Sequence, residues 1–162
     1  MSHMNTIEIK SEIKICTLDE LSKDEYQLVR SAINATDSSY SPYSRFKVGA
    51  ALRLSNGDTV CGSNQENAAF GVTMCAERSA IFAAQSSQPE QPIAAIAIAA
   101  RNADGLLRHP ITPCGSCRQV MLEIEQRYKS PIKLYLYGIE GIYIADSAKS
   151  LMPLSFIDES MK

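Results

Sequence analysis

Between Thr73 and Arg78 the sequence reads TMCAER, and within it a thiol (Cys75), a carboxylate (Glu77) and a guanidinium (Arg78) fall inside a single helical turn. Further along, PCGSC places Cys114 and Cys117 at i, i+3 spacing. On a helix that spacing puts both sulfurs on one face, where they can reach one point. Cys75 and Cys114 each precede a segment expected to be helical. The unpaired N–H groups and partial positive charge of a helix N-terminus lower a thiol pKa, and the thiolate is the form that binds metal. Together the three cysteines make three sulfur ligands, with no fourth cysteine or histidine at matching spacing. Three protein ligands and an open position are the pattern of a catalytic zinc, whereas a structural zinc closes all four. Glu77 is too near Cys75 to ligate beside it, yet near enough to reach a water on the metal, where a proton shuttle belongs. A lone CxxC would equally suit half of a structural zinc site or a thiol redox pair, so the weight rests on its pairing with CxE.

What must position these groups is a chain of 162 residues, the length of one ordinary domain with a core of its own. Residues 1–4 (Met1-Ser2-His3-Met4) look like an expression scar, and a single catalytic domain is expected over 5–162. With the scar set aside the one histidine is His109, a loop residue outside the cysteine motifs. Hydrophobic residues at 45% and charged residues at 21% are close to globular averages, which argues against disorder. A formal net charge of -2 with no basic cluster argues against a nucleic-acid polymer as partner. No apolar run suits a membrane span and no export signal is evident, so a soluble, cytoplasmic chain is expected. In that setting five cysteines read as reduced thiols or ligands. Cys16 and Cys61, without partners at ligand spacing, read as packing residues.

Ser22 and Glu25 form a capping box that opens a helix with Leu28, Val29, Ala32 and Ile33 on its apolar face, running to about Asp37. Two strands, FKVGAALRL and TVCGSN, flank Asn56-Gly57 as a hairpin. CAERSAIFAAQ reads as a helix, PIAAIAIAAR as a buried strand and CGSCRQVMLEIEQRY as another helix. IKLYLYG and GIYIAD add two strands before a short terminal SLMPLSF. The order α-β-β-α-β-α-β-β implies a layered α/β sheet with helices on both faces.

CxE followed by PCxxC, both at helix starts, resembles the zinc-deaminase signature with cysteine in place of its first histidine. The segments SPYSRFKVGAAL, SNQENAAFGVTMCAERSAIF, PCGSCRQV and LMPLSF narrow this. From about Tyr26 to Phe156 the chain resembles the small homotetrameric cytidine deaminases. The resemblance implies a three-layer α/β/α sandwich with a mixed five-stranded sheet. It also implies one zinc per chain, held by Cys75, Cys114 and Cys117, and hydrolytic deamination of cytidine and deoxycytidine with Glu77 as proton shuttle. Arg78 would hydrogen-bond ligand sulfurs and withdraw charge from them. Asn64 and Glu66 match positions that hold ribose hydroxyls and Phe46 an aromatic beside the base. Phe156 matches an aromatic supplied by a neighbouring subunit, so the active sites of the tetramer would be shared. Phe70 stands where many relatives have tyrosine, which removes a hydroxyl contact. The residues before SEIKICTLDE match nothing in that pattern. A deaminase of another aminated nucleoside or nucleoside-like antibiotic would share every zinc residue. A structural-zinc or thiol-switch binding module would need no glutamate beside Cys75.

Overall fold

A computed structural model describes residues 4–161. Most of the residues read as an expression scar therefore lie outside the described part. The sheet is seven-stranded: β1 Lys14–Cys16, β2 Lys47–Leu54, β3 Thr59–Ser63, β4 Ile93–Asn102, β5 Gly105–Leu106, β6 Lys133–Gly138 and β7 Gly141–Ala145. Three helices accompany it: α1 Lys23–Ala35, α2 Ala76–Ser87 and α3 Gly115–Tyr128. Strands lie in the order β1-β7-β6-β4-β2-β3, with β5 hairpinned onto β4. Only β4 and β6 run parallel, joined by the crossover that contains α3, so the sheet is mixed. Five of the strands are the expected ones. β5 has two residues, too few for alternation to show, and β1 is the three-residue end of a stretch outside the strands expected from the sequence.

Alternation sorts the side chains of the central strands to two cores. Ala50, Leu52, Ile96, Ile98, Leu134 and Leu136 face α2 and α3, while Ala51, Ala97, Ala99 and Tyr135 face α1. Helices therefore cover both faces, as the element order implied. The Ser22 hydroxyl caps α1 by accepting from the Glu25 amide, and the Glu25 carboxylate in turn accepts from the Ser22 amide at 3.0 Å. α1 ends at Ala35, slightly before the expected Asp37, because the backbone tightens into a 3-10 turn over Thr36–Ser38. Gly57 closes the β2–β3 hairpin at φ +91, a conformation an L side chain rarely adopts.

Two features of the fold bear directly on the cysteines. A Cβ on Gly62 would sit 2.5 Å from the Ala80 nitrogen and 2.7 Å from the Ala76 carbonyl, so glycine lets the first turns of α2 lie directly on β3. At the end of α3, Glu125 is buried. Its carboxylate accepts from the Ile132 and Ala148 amides, each at 2.7 Å, and from the Ser147 hydroxyl at 2.9 Å. Backbone donors satisfy this buried charge and join α3, β6 and the start of the terminal segment.

Candidate metal centre

Cys75 is the N-cap of α2 and Cys114 the N-cap of α3. Neither side chain caps its own helix, which leaves both sulfurs to turn elsewhere. Both helices pack on one face of the sheet and start near one another, so the sulfurs meet. Cys75 Sγ is 3.8 Å from Cys114 Sγ, Cys114 Sγ is 3.5 Å from Cys117 Sγ, and all three lie within 4.8 Å. Tetrahedral zinc with Zn–S of about 2.3 Å places its sulfurs about 3.8 Å apart, close to the two separations at Cys114. Among the described residues it is the one such group of histidine, cysteine or acidic side chains.

The surrounding charges favour thiolate. Cys75 is pulled down to about 5, first by the hydrogen bond from the Cys117 thiol and then by the Arg78 guanidinium, against the opposing effect of burial. Arg78 Nη2 donates to Cys75 Sγ at 3.6 Å. The hydrogen bond to Cys75, burial and the nearby Glu77 carboxylate push Cys117 up. Glu77 is 4% exposed. Burial pushes its carboxyl up and the neighbouring Cys75 thiolate adds to this, outweighing the lowering by hydrogen bonds and by Arg78.

A cleft of about 200 Å³ opens on this cluster, lined among others by Asn64, Glu66, Cys75, Glu77, Thr112 and Cys114. Gln65 and Met74 exchange backbone bonds at 2.9 Å in both directions, which sets SNQEN against TMCAE and brings Asn64 and Glu66 to the cleft. The Asn64 amide is largely committed to the backbone. Its oxygen accepts from the Val48 amide and the Ser39 hydroxyl, and its nitrogen donates to the Phe46 carbonyl at 2.9 Å. Glu66 accepts from the Tyr43 and Ser44 amides and the Ser44 hydroxyl, and chiefly that hydroxyl keeps its pKa low. Beyond Glu66 and Thr73 a second hollow is bounded by Tyr43 and Phe70, whose rings meet edge-on at 5.8 Å.

Two of the expected site residues do not line the cleft. Phe46 is half-buried and packs on the α2–α3 core. Phe156 is 60% exposed on the terminal segment and lies outside the lining of its own chain's cleft. Cys16 packs beside the α1 core as expected, whereas Cys61 is exposed, because its β3 position faces outward. His109 is a surface residue 3.3 Å from Glu140.

Thr73, Met74, Ile111 and Thr112 line the cleft without having been singled out from the sequence, although each pair adjoins a cysteine motif. Arg118 was also missed. It donates to the Pro113 carbonyl at 2.8 Å, the Leu151 carbonyl at 2.9 Å and the Thr112 hydroxyl at 3.1 Å. Gln119 adds a bond to the Phe156 carbonyl at 2.9 Å. The residues directly after Cys117 thus moor the terminal segment to the metal loop.

Three clustered thiols, Cys114 exposed, Cys75 half-buried and Cys117 buried, with a buried carboxylate in an open cleft on a mixed sheet between helices, define the zinc-deaminase class. Residues 22–130 match the family model described as the cytidine and deoxycytidylate deaminase zinc-binding region. A cytidine deaminase of Halalkalibacterium halodurans is 40% identical over 85% of this chain and 98% of its own length. One from Sporosarcina psychrophila is 35% identical over 85% and 95%. The crystal structure of cytidine deaminase from Burkholderia pseudomallei superposes with a TM-score of 0.69 at 39% identity, covering 81% of this chain and 98% of that one. The chain belongs to the cytidine deaminase family.

Proposed function

We propose that this protein converts cytidine and deoxycytidine to uridine and deoxyuridine with release of ammonia, using one zinc per chain. The observation that carries this reading is the juxtaposition of three sulfurs at zinc spacing with the buried Glu77 in an open cleft. When bound, zinc supplies a Lewis acid that lowers the pKa of a coordinated water toward neutrality. Cys75, Cys114 and Cys117 would hold it. As water adds to C4 of the base, Glu77 carries one of its protons to N3. The same carboxylate then moves the second proton to the amine, the C4–N bond breaks and ammonia leaves. Burial suits Glu77 to this work because it makes the carboxylate a stronger base than one in water. Glu66, fixed by the Tyr43–Ser44 backbone, and Asn64 hold the ribose hydroxyls at the cleft lining.

The deciding experiment is ammonia release from cytidine by the zinc-loaded protein, run beside other aminated nucleosides. Turnover of cytidine and deoxycytidine above the others is the expected result. Preference for another nucleoside would move the chain to the neighbouring substrate class, and no turnover with full zinc would leave a structural zinc module.

Three thiolates around a divalent ion leave a negative centre that makes coordinated water less acidic, and Arg78 offsets that charge at Cys75. Arg78→Gln should therefore lower turnover in the zinc-loaded enzyme. Adding Cys75→His, which replaces an anionic ligand with a neutral one, should recover part of it. A double variant no better than the single one removes charge compensation from the role of Arg78.

The protein works in this reading as a cytoplasmic homotetramer in pyrimidine salvage, with Phe156 of each chain closing a neighbour's cleft. At about 200 Å³ the cleft of one chain is smaller than the roughly 300–1,000 Å³ of pockets that enclose a ligand, and a partner's aromatic would complete the wall. Among the described residues no helix is long and apolar enough to cross a membrane. Co-expressing Phe156→Ala chains with Glu77→Gln chains should give mixed assemblies more active than the weighted sum of the two parents, since one site of each pair is rebuilt whole. Activity equal to that sum would return Phe156 to its own chain.

A further inference from the structure

Residues 7–15 read Ile-Glu-Ile-Lys-Ser-Glu-Ile-Lys-Ile and lie ahead of the matched family region, which begins at residue 22. The alternation is that of a strand, with isoleucines and Ser11 on one face and charges on the other. Within the chain, only Lys14–Cys16 are paired, as β1 against β7. β1 ends the strand order, so its outer edge has no sheet partner, and residues 5–13 carry no regular secondary structure. Ile7 is 82% and Ile15 70% exposed.

The charge order is self-complementary about Ser11. When the segment meets a second copy of itself antiparallel, with the two-fold axis through Ser11, Glu8 stands opposite Lys14 and Lys10 opposite Glu12. Each pair occurs twice, while Ile9 faces Ile13 and Ile7 faces Ile15. Sliding the register by a residue toward either end on both copies puts Lys10 opposite Lys14, or Glu8 opposite Glu12. A parallel in-register arrangement sets every charge against its own kind. Like charges directly opposite are destabilising and opposite charges stabilising, so one register is selected. A free two-stranded ribbon is marginal in water, but here Lys14 and Ile15 already belong to a folded sheet, which anchors both ends of the ribbon. The isoleucine face has somewhere to go. Ile9 lines a hollow of about 520 Å³ with Met152, Pro153, Leu154 and Ile157, which the partner's isoleucines would help to fill.

We propose that residues 7–15 form an isologous antiparallel strand pair with a second copy of this chain, continuing the sheet across the two molecules beyond β1. The existing contacts are compatible with it. Lys14 bonds Asp146 at 2.6 Å and Lys10 lies 3.5 Å from Glu8, both at exposed positions that leave the side chains able to take a second partner. The hollow shares no lining residue with the metal cleft, although Leu154 and Ile157 in its wall flank Phe156.

Sedimentation velocity on the full zinc-loaded chain over a range of concentrations tests it. Glu12→Lys places like charges opposite at two points and should weaken the self-association step about tenfold, and adding Lys10→Glu should restore it in the same register. Under mild oxidation Ser11→Cys chains, whose thiols meet on the axis, should cross-link at least ~10-fold faster than Glu12→Cys chains, whose thiols face Lys10. Association and cross-linking are both read without substrate, so the outcome does not depend on the proposed activity. Unchanged association in Glu12→Lys, failure of the second charge reversal to restore it, or equal cross-linking at the two positions would each overturn the pairing.

Discussion

Replacing Glu77 with glutamine should leave the zinc content of the protein intact while cytidine turnover falls by ~100-fold or more, the lower end expected for a general acid-base group. Glutamine has nearly the shape of glutamate, so the substitution opens no cavity at this buried position. It also removes a carboxyl whose charged form is penalised by burial and by the neighbouring Cys75 thiolate. The thermal midpoint should accordingly stay level or rise, which separates a chemical defect from a folding one. What the amide cannot do is accept a proton from water and return it to the base. A hundredfold loss corresponds to about 2.7 kcal/mol of transition-state stabilisation. Zinc by metal analysis and turnover on the same preparation make the measurement. Turnover near wild type would assign the proton transfer to another group.

Cys114→Ser should lose both zinc and activity together. Serine keeps the N-cap role at the start of α3, a position serine favours, so the helix is expected to survive. Cys114 is also exposed, whereas Cys117 is fully buried, so the substitution at 114 avoids a packing defect that would confuse the result at 117. The serine hydroxyl stays protonated near neutral pH and does not replace a thiolate. Because disturbing even the residues around a metal's ligands costs 10–100-fold in affinity, losing one of three protein ligands should exceed ~100-fold. Chelator competition reads the affinity, and circular dichroism confirms the helix. A Cys114→Ser protein that holds one zinc per chain at wild-type affinity would show that the other two cysteines suffice.

Much of the site was legible in the sequence because its parts are local. Capping of α1 by Ser22 and Glu25, the Asn56-Gly57 turn and the i, i+3 placement of Cys114 and Cys117 each depend on neighbours along the chain. Helix starts at Cys75 and Cys114 were readable for the same reason, and with them the tendency toward thiolate. β5 escaped because two residues carry no pattern and it owes its existence to the edge of β4, while at β1 only the last three residues of an alternating stretch pair, where the edge of β7 reaches them.

What the sequence alone determined, then, is the chemistry available and the local geometry of each half of the site: a thiol pair on one helix turn, and a thiol, carboxylate and guanidinium on another. Tertiary structure decided that the halves meet. Cys75 and Cys114 are 39 residues apart in the chain and 3.8 Å apart in space because α2 and α3 share one face of the sheet. Gly62 allows α2 to lie directly on β3, and the Gln65–Met74 pairing brings Asn64 and Glu66 to the cleft. The same packing moved Phe46 into the core contact and bound the terminal segment to α3 through Arg118, Gln119 and Glu125. Hydrogen bonds between distant backbone groups and the close approach of a helix to a strand leave no periodic trace in a sequence. They are fixed only when the strand order sets which surfaces touch, and that order is a property of the whole sheet.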